Sequence, residues 1–127
     1  MTWFYEQISG RLFAEGGVLT GIGESGFKEG RNNPDLEDTH IGPIPIGVYT
    51  IHAPLHHPGA GRYALPLIPN LENKMFGRNN EEFFIQEKFT FILPGSIVLG
   101  LEVRRKVWAS GDRYLQVTPG RAWIPKQ

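Results

Sequence analysis

The chain has 127 residues, 40% apolar and 20% charged, with 13 basic and 13 acidic side chains and no cysteine. That length holds one hydrophobic core. The zero net charge supplies no field drawing the chain to nucleic acid or to an anionic membrane, and the missing thiols exclude disulfides, zinc–thiolate sites and thiol catalysis. No apolar run approaches the ~20 residues of a membrane-spanning helix. The opening Met-Thr-Trp-Phe-Tyr-Glu has neither the basic nor the apolar stretch of a signal peptide. Synthesis in the cytoplasm is therefore the expectation, with any export by a signal-independent route.

Sixteen glycines and ten prolines punctuate the chain, which suits short strands joined by turns. Residues 3–7 alternate in part and predict a strand. Ser9-Gly10 turns the chain, residues 11–14 return it, Gly16-Gly17 turn again and residues 18–22 continue, a β-meander. Residues 23–42 hold Ser25-Gly26, Gly30 and Asn32-Asn33-Pro34 with little apolar content. They predict a loop of a length that is often functional. Val48, Tyr49, Thr50 and Ile51 predict a strand over 47–53, just after Pro43 and Pro45, which donate no N–H.

Residues 54–61 predict a second loop, with His56 and His57. Adjacent residues of an extended chain point to opposite faces, and no carboxylate stands within five residues, so a solvated loop is expected and no metal site. His40, after Asp38-Thr39, is given a turn or capping role. Residues 63–68 predict a strand, with Pro66 marking an edge or a bulge. Residues 70–80 are polar apart from Leu71, Met75 and Phe76, and residues 82–92, with Phe83, Phe84, Ile85, Phe89 and Phe91, predict one or two strands. After the apolar run 97–99, Val103 and Val107 stand four apart and Gly111 suits a C-terminal cap, so residues 101–110 predict the main helix. Its Arg104-Arg105-Lys106 run reads as a solvated face. Residues 114–117 predict a last strand. The expectation is one mainly β domain over 1–127, with one main helix in the C-terminal third and no cofactor.

An ordered set of blocks spans nearly the whole chain. They are Met1-Thr2-Trp3 with Tyr5; Thr20-Gly21-Ile22-Gly23-Glu24-Ser25-Gly26; Gly30-Arg31-Asn32-Asn33-Pro34; Gly42-Pro43-Ile44-Pro45-Ile46-Gly47-Val48-Tyr49-Thr50-Ile51; Phe76-Gly77-Arg78; Trp108-Ala109-Ser110-Gly111-Asp112; and Leu115-Gln116-Val117. Together they resemble the L,D-transpeptidase-like effectors of type VI secretion, small bacterial toxins distantly related to YkuD-type L,D-transpeptidases. The resemblance implies a mainly β fold, delivery to a target-cell periplasm, and cutting or exchange of peptidoglycan peptide stems. It implies a cysteine nucleophile in a Ser-x-Gly-Cys-Ile type motif, activated by a histidine in an Ile-His-Gly-Asp type motif, an arrangement that favours the reactive thiolate.

At both positions the chain departs from that pattern. Phe83-Phe84-Ile85-Gln86-Glu87-Lys88 places Gln86 where the base belongs, and a carboxamide takes no proton near neutral pH. Pro94-Gly95-Ser96-Ile97-Val98-Leu99-Gly100 places Ser96 where the cysteine belongs. Glu87 replaces a glycine, and the connection from 87 to 95 is short. Ser96 is not in a Gly-x-Ser-x-Gly elbow, and its simple reading is a small residue at the start of a strand.

No catalytic residue is therefore assigned. Ser25, Arg31, Asn32, Asn33, Gln86 and Ser96 are the candidate ligand-binding set. Turn chemistry is the alternative for the loop members, since Asn tolerates left-handed backbone and Asn-Pro starts turns. The leading expectation is a catalytically inactive domain that binds a peptidoglycan peptide or a cognate protein partner. A hydrolase rebuilt around Ser96 and a structural component of a phage or secretion system are its rivals. A histidine within reach of an open Ser96 would favour the enzyme, a cleft filled by Phe89, Phe91 or Leu93 the scaffold, and an open polar cleft without a base the binder.

Overall fold

The structure is a computed structural model and describes residues 2–88 and 93–120. Those residues form a mainly β domain of ten strands and one α-helix. The strands are β1 (Thr2–Glu6), β2 (Arg11–Ala14), β3 (Val18–Ile22), β4 (Glu24–Ser25), β5 (Gly47–Ile51), β6 (Leu55–His57), β7 (Gly61–Pro69), β8 (Phe83–Gln86), β9 (Ile97–Val98) and β10 (Tyr114–Thr118), with α1 at Leu101–Ala109. The sheet order is β3-β2-β1-β10-β5-β7-β8-β9-β4, and β6 pairs with β7 off this path.

The meander of β1, β2 and β3 and the strands β5 and β7 lie where alternation and turn residues place them. β1 then pairs in parallel with β10, which pairs antiparallel with β5. The helix also lies where its period puts it. Ser110 follows as its C-cap and Gly111, at φ +81°, turns the chain out with its N–H on the Trp108 carbonyl.

Residues 18–25 run from one edge of the sheet to the other. Their first part pairs with β2, their last two residues pair with β9, and the chain crosses at Gly23. The sheet is thereby closed on itself. The crossing is tight: Gly23 N–H donates to the Gly10 carbonyl at 2.7 Å. A Cβ on Gly23 would stand 2.0 Å from the Val98 oxygen, and one on Gly10 1.8 Å from the Gly23 oxygen, so only glycine fits either position.

Inside the closed sheet Trp3, Tyr5, Tyr49, Ile51, Leu65, Leu67, Phe83, Ile85, Ile97, Leu115 and Val117 form one core, and α1 adds Val107. The period-2 alternation of β1, β5 and β10 produces this inward row. Trp3 Nε1 donates to Ser110 Oγ at 3.1 Å and fixes the end of the helix to β1.

Several expectations are corrected. Residues 23–42 are no plain loop, because they contain β4 and two 3-10 turns, at Lys28–Gly30 and Pro34–Leu36. Residues 54–61 contain β6. Pro66 lies neither at an edge nor in a bulge but within β7, between β5 and β8. Its carbonyl accepts from His52 N–H, one residue beyond the end of β5. The proline nitrogen faces the same way, so the missing donor falls where the β5 ladder stops. Arg104 is not solvated with its neighbours: it is only 1% exposed. Phe89 and Phe91 lie outside the described residues.

Candidate functional site

β8 is buried on both faces. Phe83 and Ile85 enter the main core, as does Ile97, the register partner of Ile85 on β9. Strand alternation therefore places Phe84, Gln86, Ser96 and Val98 together on the opposite face. The two positions that depart from the resemblance share that face, brought together by parallel pairing of β8 with β9.

Both side chains are sealed there. Ser96 and Gln86 have no exposed surface. Ser96 Oγ accepts from Phe84 N–H at 3.1 Å, and Gln86 Oε1 accepts from Leu93 N–H at 3.2 Å. Between them Leu93-Pro94-Gly95-Ser96 makes a turn closed by Ser96 N–H on the Leu93 carbonyl at 3.0 Å, with Gly95 at φ +78°. Leu93 packs against Ala60, Ala64 and Phe84.

Ser25 grips the same turn from the other side. Its hydroxyl donates to the Gly95 carbonyl at 3.2 Å and accepts from Ile44 N–H at 2.8 Å, fully buried. Asn32 sits at φ +53° and exchanges two bonds with Ser25: its N–H donates to the Ser25 carbonyl at 2.8 Å and its Oδ1 accepts from Ser25 N–H at 3.0 Å. Asn33 caps the 3-10 turn at Pro34–Leu36, accepting from Asp35 N–H at 3.0 Å. Arg31 is exposed and stands 3.7 Å from the Glu24 carboxylate.

The structure thus gathers Ser25, Asn32, Gln86 and Ser96 around one turn and leaves Arg31 and Asn33 at the surface. The four gathered residues satisfy backbone groups of the chain itself.

Arg78 supports this assembly and carries no sequence signal beyond its place in Phe76-Gly77-Arg78. It is 4% exposed. Its Nη1 donates to the carbonyls of Glu37 (2.8 Å) and Pro43 (2.9 Å), and Nε and Nη2 each lie 2.9 Å from a Glu81 carboxylate oxygen. Glu37 in turn accepts from Ile46 N–H at 2.8 Å and from Gln7 Nε2 at 3.3 Å. The long connection is held by this network from below.

The accessible space lies just beside the sealed pair. A groove of about 420 Å³ is lined by Ile22, Glu24, Lys88, Val98, Leu99 and Gly100, among others. Each polar wall is a chain neighbour of a candidate position: Glu24 precedes Ser25, and Lys88 lies two residues after Gln86. The floor is apolar, and the first turn of α1 begins at its rim, with Gly100 as an N-cap that offers no side-chain bond. A second hollow of about 420 Å³ lies over β7, floored by Pro66, Ile68 and Phe84 and edged by Glu82.

No histidine hydrogen-bonds to Ser96 among the described residues. His57 is the one that approaches, with its ring 4.8 Å from that of Phe84. Its Nδ1 accepts from Gly59 and Ala60 N–H at 2.9 and 3.2 Å, and its Nε2 faces the Glu82 carboxylate at 3.4 Å. His57 is therefore a turn-forming residue that is half-buried, which the expectation of a solvated loop missed because Glu82 is remote in sequence. No group of three His, Cys, Asp or Glu able to hold a metal ion occurs among the described residues, and no helix there is long and apolar enough to cross a membrane.

No protein-family model matches the chain, and neither does any curated protein or solved structure.

Proposed function

We propose that the chain is a catalytically inactive L,D-transpeptidase-like domain that binds peptidoglycan peptide stems in the groove beside positions 86 and 96. The observation that carries this reading is the sealing of Ser96 and Gln86. A nucleophile needs access to a carbonyl and a base to take its proton. Ser96 has no exposed surface and its hydroxyl oxygen is engaged by Phe84 N–H, while the neighbouring side chain is a carboxamide. A serine hydrolase rebuilt at this position is disfavoured on the same ground.

The groove supports the binding half of the proposal. Lys88 supplies a cation, Glu24 a carboxylate, and Ile22, Val98 and Leu99 an apolar floor. A short stem peptide carries free amine and carboxylate groups on a small apolar backbone, and such a site fits it by charge and shape.

The test is titration of the labelled protein with a tetrapeptide stem, followed by NMR, with product release monitored in parallel. Saturable shifts at residues 22–24, 88 and 98–100 and no cleavage are expected. Cleavage that Ser96→Ala abolishes would overturn the inactive reading. Absence of shifts at saturating ligand would favour a second reading, a structural component, for which the packing of Leu93 on Phe84 above the Ser96 turn speaks.

A further inference from the structure

The two charged walls of the groove beside Ser96 are not equivalent. Antiparallel pairing of β4 with β9 sets Glu24 on one side of Val98, and parallel pairing of β8 with β9 sets Gln86 on the other. Leu99 N–H continues the second ladder onto the Gln86 carbonyl at 3.1 Å, so the two chains leave it side by side. Lys88 and Gly100, each two residues further on, both line the groove. Glu24 already has a partner, since Arg31 Nε stands 3.7 Å from its carboxylate. Glu87, the chain neighbour of Lys88, lies 3.9 Å from Arg104 Nη2. Lys88 itself forms no ion pair among the described residues. The groove's anion is thus offset and its cation is not.

The backbone adds to this bias. α1 opens at Gly100, which supplies no side-chain cap, and Arg104 N–H is the first of the helix to find an acceptor, on the Gly100 carbonyl at 3.0 Å. The N–H groups before it carry the partial positive charge of a helix start. Glu102, in the same turn, is exposed and is not one of the groove walls. The polar groups of the groove therefore lack an anion. The floor of Ile22, Val98 and Leu99 offers apolar surface next to the place where that anion would sit.

We propose that the groove recognises the free C-terminal carboxylate of a peptide stem, held by Lys88 at the start of α1 with the terminal side chain on the apolar floor. This rests on the reading of the groove as a stem-binding site. Carboxylates are captured by this combination of a cation and unbonded backbone N–H groups. A stem whose terminal carboxyl is an amide, whether capped or joined to a neighbouring chain, lacks the anion and is discriminated against. The ligand class is free-ended stems.

The experiment compares a tetrapeptide stem with the same peptide carrying a C-terminal amide. Both are titrated by NMR, at fixed ionic strength, into the parent protein and into Lys88→Gln. Lys88 is exposed, so the circular dichroism of the variant should stay native. The acid should bind the parent roughly tenfold more tightly than the amide, with shifts reaching the backbone N–H signals of residues 100–103. In Lys88→Gln the acid should fall to within about twofold of the amide, whose own affinity stays unchanged. Equal affinity of acid and amide in the parent, or a preference for the acid that Lys88→Gln leaves intact, would overturn the proposal and leave stem binding in place. No saturable shift with either peptide would overturn stem binding itself, and the carboxylate assignment with it.

Discussion

Ser25 joins two backbone segments that lie far apart in the chain: its hydroxyl accepts from the N–H of Ile44 and donates to the carbonyl of Gly95, 70 residues away. A single oxygen thereby fastens the long connection to the turn that carries Ser96. Ser25→Ala keeps the volume nearly constant but strands a buried N–H and a buried carbonyl. Each such orphan costs about 1–3 kcal/mol, so urea denaturation should show a loss of roughly 2–6 kcal/mol. A loss under ~0.5 kcal/mol would mean that water replaces the hydroxyl.

Installing the two side chains that the resemblance calls for should not confer chemistry. In Gln86→His with Ser96→Cys, the thiol would enter a site with no exposed surface and would exchange a good acceptor for Phe84 N–H for a weak one. A thiolate–imidazole pair also needs close placement, and a displacement of ~1 Å costs ~100-fold in rate. The variant should lose about 1–3 kcal/mol of stability, react with Ellman-type reagent only on unfolding, and leave peptide stems uncut. Rapid native-state thiol labelling with cleavage of stems would show that the face opens.

Much of the fold was legible from local pattern. β1 alternates in part, Gly-containing turns mark off β2 and β3, β-branched and aromatic residues mark β5, and α1 shows Val103 and Val107 one turn apart. What was hidden depends on distant partners. β4 is two residues long and exists only because Ser25 pairs with Ile97; nothing in Glu24-Ser25 announces a strand. Arg104 stands in a basic run that looks solvated, and only the position of Glu87 and the packing of Val103 and Val107 turn it inward. For the candidate site, the resemblance singled out Gln86 and Ser96, and the pairing of β8 with β9 puts them on one face. It could not foretell that Ser25, Asn32, Gln86 and Ser96 would bond to backbone. Lys88 and Glu24, which wall the open groove, stand in the sequence only as members of longer blocks and carry no signal of their own.

Arg78 should be the costliest polar side chain to remove. Arg78→Met leaves the carbonyls of Glu37, Gly42 and Pro43 without their donor and the Glu81 carboxylate without its bidentate partner. Breaking a buried pair of this kind costs about 3–5 kcal/mol. The denaturation midpoint should fall accordingly, with amide exchange accelerating first in residues 37–46. A variant as stable as the parent would show that the network is replaceable by apolar packing.

Alkaline pH should destabilise the protein through Tyr5 and Tyr49. Burial raises both phenols well above their ordinary value, with Glu24 adding to the rise at Tyr5 and Glu37 at Tyr49, where Arg78 opposes it. The unfolded chain releases these protons near pH ~10, while the folded chain retains them. Stability is therefore unaffected by these groups below pH ~10 and falls above it, by about 1.4 kcal/mol per pH unit for each tyrosine. Phenolate absorbance should appear in two steps, with Tyr5 and Tyr49 ionising only as the chain unfolds. Phe at either position should flatten the alkaline limb; an unchanged limb would point to other groups.

The parallel pairing of β1 with β10 sets the schedule of synthesis. β10 is the last element among the described residues, yet it occupies the middle of the sheet, between β1 and β5. While residues 114–118 remain inside the ribosome, the nascent chain holds two half-sheets with a gap between them. Each presents an unpaired edge and an uncovered row of apolar side chains, the kind of surface that chaperones recognise and that aggregates. Folding of this domain is therefore obliged to follow translation of β10 and cannot proceed alongside it. A stop codon just before Tyr114 would remove the central strand and leave the two halves held only by the crossing run of residues 18–25.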